Sequence, residues 1–115
     1  MPADPAFDVR HESHDGAVVV AACGEIDIVT SPALRSALLD ERAQAPLVVL
    51  DLREVTFIDS SGLGVIVGQQ KRAQERDERF SVAVGSSLPV QRILDLSGLV
   101  KVLDIVDAPA DRLAA

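Results

Sequence analysis

Residues 46–64 read PLVVLDLREVTFIDSSGLG, and the fold turns on how that stretch divides. Its first part, PLVVLDL at 46–52, is a short unbroken run of Val and Leu around one Asp, the pattern of a strand covered on both faces and hence of a central parallel strand. A short turn then carries the chain into a helix. Leu63, Ile66, Val67, Gln70 and Ala73 fall at i, i+3, i+4, i+7 and i+10, so the periodicity predicts a helix from about Ser61 to Arg76 with Leu63, Ile66 and Val67 facing inward. Gly64 and Gly68 lie on one side of it, where bare backbone is expected to let the helix approach the sheet, although each Gly costs about 1 kcal/mol of helix propensity relative to Ala.

The same strand-to-helix unit is legible on either side. Upstream, residues 7–13 alternate weakly, HDG at 14–16 signals a turn, and AVVVAACG runs unbroken to Gly24, which gives two strands joined tightly. GEID at 24–27 leads into TSPALRSALLDERAQ at 30–44. There Ser31 as N-cap, Pro32 at the first helical position, and Leu34, Ala37 and Leu38 at helical spacing predict a helix. Downstream, RFSVAVG at 79–85 reads as a strand. SSLPVQRILDLSG at 86–98 reads as a helix capped by Ser87, with Pro89 in its first turn, an apolar stripe of Val90, Ile93 and Leu94, and Gly98 as terminator. VKVLDIV at 100–106 reads as a last short strand, and DAPADRLAA at 107–115 as a flexible or short helical tail. Such alternation implies a single α/β domain with right-handed crossovers and a mixed, mostly parallel sheet.

Composition bounds the function. The 115 residues are 48% hydrophobic with three Phe, no Tyr and no Trp, so the core is expected to be Val, Leu, Ile and Ala. Eighteen acidic residues against eleven basic ones give a net charge of -7, which repels nucleic-acid backbones and anionic membranes, and neither is expected as a partner. Lys71, Arg72, Arg76 and Arg79 are interleaved with Glu75, Asp77 and Glu78, as on a solvated helix face. The single Cys23 has no internal disulfide partner and, inside VVVAACG, is read as a small buried thiol. No apolar stretch approaches the roughly 20 residues of a membrane helix, and the polar first sixteen residues do not resemble a signal peptide, so the chain reads as cytoplasmic.

Functional loops of such a sheet gather at the carboxyl ends of its parallel strands, which places residues 57–62 and GEID on one rim. A hydrolase nucleophile needs Gly two residues before and two after the serine; Ser60 has Ile58 and Gly62, Ser61 has Asp59 and Leu63. The only histidines, His11 and His14, fall in a polar amino-terminal turn and are expected to be solvent-exposed, so no base is supplied and an enzyme is not expected. DSSGLG lacks a Walker lysine and sets a carboxylate where polyphosphate would lie, so no nucleotide or other cofactor is called for. Glu25, Asp27, Asp51 and Asp59 have oxygen ligands for a divalent ion, but helix caps and rim carboxylates show the same spacing, and no metal is assigned. A third reading makes the protein the substrate. A hydroxyl at the first turn of a helix tolerates phosphate, which adds about -1.5 to -2 charges to the surface around it. From the residues alone, an N-cap cluster and a phosphorylation switch both account for DSSG.

GEIDIVTSPALRSAL, PLVVLDLREVTFIDSSGLGVIVGQQKRA and LSGLVKVLDI together closely resemble the STAS domain of bacterial anti-sigma-factor antagonists, over roughly residues 7–106. The resemblance implies a five-stranded mixed sheet with helices largely on one face. It also implies an anti-sigma factor with serine kinase activity as partner, and a phosphatase that restores the unmodified form. Carried over by position, Ser60 is the phosphoacceptor, Asp59, Ser61, Gly62, Leu63 and Gly64 shape the contact loop, and Asp27 shares the partner-facing rim. The alternative within the family is a STAS subunit of a stress-sensing or transport assembly that binds a partner outside any sigma circuit.

Overall fold

The computed structural model describes residues 7–113. An antiparallel hairpin of β1 (Phe7–His14) and β2 (Ala17–Ile26) opens the chain. Three crossovers follow: α1 (Ser31–Leu39) to β3 (Leu47–Ile58), α2 (Ser60–Glu75) to β4 (Arg79–Ala83), and α3 (Leu88–Ser97) to β5 (Asp104–Val106). Single 3-10 turns occupy Glu41–Ala43, Leu99–Lys101 and Pro109–Asp111. Strand order in the sheet equals strand order in the chain, β1-β2-β3-β4-β5, and every pair after the hairpin is parallel. Crossovers of one hand that always step in one direction lay their helices on the same face. The main core is accordingly one layer deep, with Val18, Val20, Val48, Leu50 and Val82 of the sheet packed with Leu34, Ile66, Val90 and Leu94 of the three helices.

The opposite residues of the same strands, Ala17, Val19, Leu47, Val49, Ala83 and Val106, form a second, smaller cluster, joined among the described residues by Leu113 from the tail. In that tail Pro109–Asp111 makes one 3-10 turn, and Arg112 pairs with Asp104 at 2.8 Å.

Several local expectations are corrected, each for a physical reason. β3 does not stop at Leu52 and turn; it runs on to Ile58. Two register shifts against β2, between Ala21 and Cys23 and between Gly24 and Glu25, each insert an extra β3 residue, so buried positions step by three at Leu52, Val55 and Ile58. A strand with that period does not look like one in sequence. The inward face of α2 is Gly62, Val65, Ile66, Gln69 and Ala73, whereas Leu63 and Val67 are half-buried. Gly64 and Gly68 therefore point away from the sheet, and a Cβ added to either meets nothing within 4 Å. Gly62 is the residue that seats the helix: a Cβ there would stand 2.7 Å from Ile58 Cγ1 and 2.8 Å from Ile26 Cγ2.

Of VKVLDIV only Asp104–Val106 pairs with β4, because Gly98, at φ 77°, ends α3 and passes the chain into a 3-10 turn. β4 ends at Ala83 rather than Gly85. Helix α1 starts at Ser31 with Thr30 as N-cap, and stops at Leu39 where Asp40 turns extended. Cys23 is exposed, not buried, since the alternation of β2 turns it to the helix-free side beyond the cover of the tail. His11 lies on β1, half-buried, with Nε2–H donating to the Ala37 carbonyl at 2.8 Å, while exposed His14 pairs with Glu12.

Candidate partner-binding rim

The two bulges lengthen β3 past the end of β4 and bring its last residues level with the end of β2, so that Ile26 pairs with Ile58. The adjacent loops are thereby tied: the Asp59 N–H donates to the Ile26 carbonyl at 3.2 Å. GEID and DSSG do share one rim. Asp59 is the N-cap of α2, its Oδ1 accepting from the Ser61 N–H at 2.9 Å. Because the aspartate takes that role, the next hydroxyl is left over. Ser60 is the first helical residue, exposed, and its side chain makes no hydrogen bond among the described residues.

Asp27 organises the neighbouring loop. Its Oδ1 accepts from the N–H groups of Val29 at 2.9 Å and Thr30 at 3.0 Å, and its own N–H donates to Thr30 Oγ1 at 2.9 Å. Thr30 Oγ1 in turn donates to the Glu25 carbonyl at 2.8 Å. Donation first from the Thr30 backbone, then from Val29, holds the Asp27 carboxyl below its ordinary value despite some desolvation. This turn presents two apolar side chains to solvent: Ile28 is 77% exposed and Val29 74%. Phe57, thrown outward by the second bulge, is 45% exposed, and Leu88 at the start of α3 is also exposed.

Of the seven residues carried over from the sequence, Asp27, Asp59, Ser60, Ser61, Leu63 and Gly64 have surface at this end, whereas Gly62 is buried beneath it. The apolar set of Ile28, Val29, Phe57 and Leu88 was not singled out from the sequence. For Ile28 and Val29 the signal was available, since strongly apolar residues in a loop after a strand have no core to enter, whereas Phe57 and Leu88 lie within β3 and α3. Ile28, Ser31, Arg35, Ser60, Ser61 and Gly64 line a shallow depression of about 340 Å³ between the starts of α1 and α2.

Three of the four carboxylates considered as metal ligands are engaged within the chain. Asp51 accepts from Arg53 at 2.9 and 3.0 Å, Asp27 is taken by its turn, and Asp59 by its cap. Among the described residues no three His, Cys, Asp or Glu side chains converge as metal ligands, and no helix is long and apolar enough to cross a membrane. What the rim offers is an unengaged hydroxyl among apolar side chains.

The chain is similar to known proteins over most of its length. A family model described as the STAS domain matches residues 8–111. An anti-sigma F factor antagonist of Paenibacillus polymyxa is 37% identical over 103 residues, 88% of this chain and 87% of that one. An anti-sigma-B factor antagonist of Bacillus subtilis is 33% identical over 98 residues, 85% of this chain and 87% of that one. Among solved structures, an anti-sigma factor antagonist from Mycobacterium paratuberculosis superposes with a TM-score of 0.82 at 30% identity, covering 96% of this chain and 94% of that one.

Proposed function

As this chain belongs to the STAS domain family, we propose that it is an anti-sigma-factor antagonist whose rim captures an anti-sigma factor and so frees a sigma factor for transcription. The observation that carries this reading is the exposed Ser60 hydroxyl, free of hydrogen bonds among the described residues, at the first turn of α2 beside Ile28 and Val29. In the unmodified state the apolar side chains bury against the partner, and the neutral hydroxyl costs far less to cover than a charged phosphate would.

The partner, acting as a serine kinase, transfers the γ-phosphoryl group of ATP to Ser60 Oγ, which gives up its proton as ADP leaves. Asp59 remains the cap, and the positive end of α2 tolerates the new dianion, so the fold persists. The interface does not, because about -1.5 to -2 charges must then be desolvated next to Asp59. A phosphatase returns the hydroxyl. Incubation with the cognate kinase and ATP, followed by mass-spectrometric mapping, is expected to place one phosphate on Ser60. Absence of phosphate from both Ser60 and Ser61 overturns the switch.

A further inference from the structure

The depression beside Ser60 does not end at Gly64. Arg35, Gly64 and Val65 also line a second cavity, of about 200 Å³, which continues between α1 and α2 past Gly68 and Gln69 to Arg72. Three features of this trough are not called for by the packing of the chain. Gly64 and Gly68 weaken an exposed helix surface, yet an added Cβ at either meets nothing within 4 Å, so packing does not require them. Gln69 is only 8% exposed and lines the trough, but its side-chain amide makes no hydrogen bond among the described residues. No side-chain polar atom is both sealed from solvent and unpaired among the described residues, so the Gln69 amide keeps some surface, and the residue lines the trough. Finally, in a chain of net charge -7, the trough is lined by Arg35 and Arg72 and by no carboxylate; neither arginine is ion-paired among the described residues, and Arg72 is held only by donation to the neutral Gln44 Oε1 at 2.8 Å.

We infer that this trough receives an acidic segment of the anti-sigma factor, an inference that rests on the reading of the Ser60 rim given above. Bare backbone at Gly64 and Gly68 lets the segment's main chain lie close against α2. The Gln69 amide, at once donor and acceptor, pairs with a peptide group of that segment, and Arg35 and Arg72 take its carboxylates. The rim then supplies the phosphorylation-sensitive contact and the trough supplies selection among anti-sigma factors.

Titration calorimetry of the cognate anti-sigma factor against Gly68→Leu, Gln69→Leu, Arg35→Glu and Ser60→Asp variants of the full chain tests the inference. Gly68→Leu puts a side chain into the trough and improves helix propensity, so its melting temperature is expected to equal or exceed the parent's while affinity falls at least tenfold. Arg35→Glu, an exposed change, is expected to weaken binding tenfold or more even if Gly68→Leu fails to fold, and Gln69→Leu severalfold. Peptides tiling the anti-sigma factor should include one acidic segment that binds the parent and loses affinity when its Asp and Glu are replaced by Asn and Gln. If Gly68→Leu and Arg35→Glu bind like the parent while Ser60→Asp binds weakly, the trough is not used and the rim reading stands. If the parent itself binds no anti-sigma factor, both fall. A concentration-dependent dimer of the parent that Gly68→Leu abolishes, with partner affinity unchanged, assigns the trough to a second copy and overturns the inference.

Discussion

At the scale of single residues the site is a division of labour between neighbours. Asp59 caps α2 through the Ser61 N–H, and this leaves Ser60 unengaged at the surface. Ser60→Ala is expected to bind the partner irreversibly with respect to ATP, and Ser60→Asp to bind at least tenfold more weakly, both by titration calorimetry. Equal binding by Ser60→Asp would mean that charge is not the release signal. Asp59→Ala removes the cap and is expected to lower stability by about 1 kcal/mol in urea melts. The three α2 glycines separate cleanly in the same assay. Gly62→Ala drives a methyl into Ile58 and Ile26 and should cost about 1–3 kcal/mol, whereas Gly64→Ala enters open space and should gain up to about 1 kcal/mol. A destabilised Gly64→Ala would contradict the rotation of α2 described here.

At the scale of elements, legibility tracked how local the determining interactions are. α1 and α3 were readable because Pro32, Pro89 and Gly98 act on their own backbone, with Gly98 at φ 77° ending α3. The end of β3 was not, because its bulges exist only in register with β2, and Leu52, Val55 and Ile58 show no period of two. Nor was the orientation of α2, which tertiary packing of Gly62 settles against the helical stripe through Leu63 and Val67. The site divided the same way: Asp59 and Ser60 announce themselves in six residues, while the trough needs two helices brought together.

The tail gives an element-scale test. Arg112 first, and then Ser81, donate to Asp104 and hold its carboxyl below the ordinary 3.8, with some opposition from desolvation. A carboxyl depressed in the folded state adds stability above its unfolded value and loses it as pH falls through the folded value. The contact of Leu113 with the second cluster is therefore expected to be constant above about pH 5 and to loosen below 3.8, read from Leu113 methyl shifts by NMR. Asp104→Asn should remove that dependence; an unchanged profile in the variant would assign it elsewhere.

At the scale of the molecule, what was legible was the alternation of strands and helices, and with it the mostly parallel sheet. The exposure of Cys23 was not, because it depends on where a tail more than eighty residues away comes to rest. The sheet's order, identical to the order of the chain, has a consequence for how the protein is made. As the polypeptide leaves the ribosome, each strand after β1 finds a pairing partner already present. The segments that carry Asp27 and Ser60, 25–31 and 57–64, have both emerged before β4 begins at Arg79. Birth order and spatial order coincide, so a nascent chain exposes its apolar sheet edge to only one correct neighbour at a time.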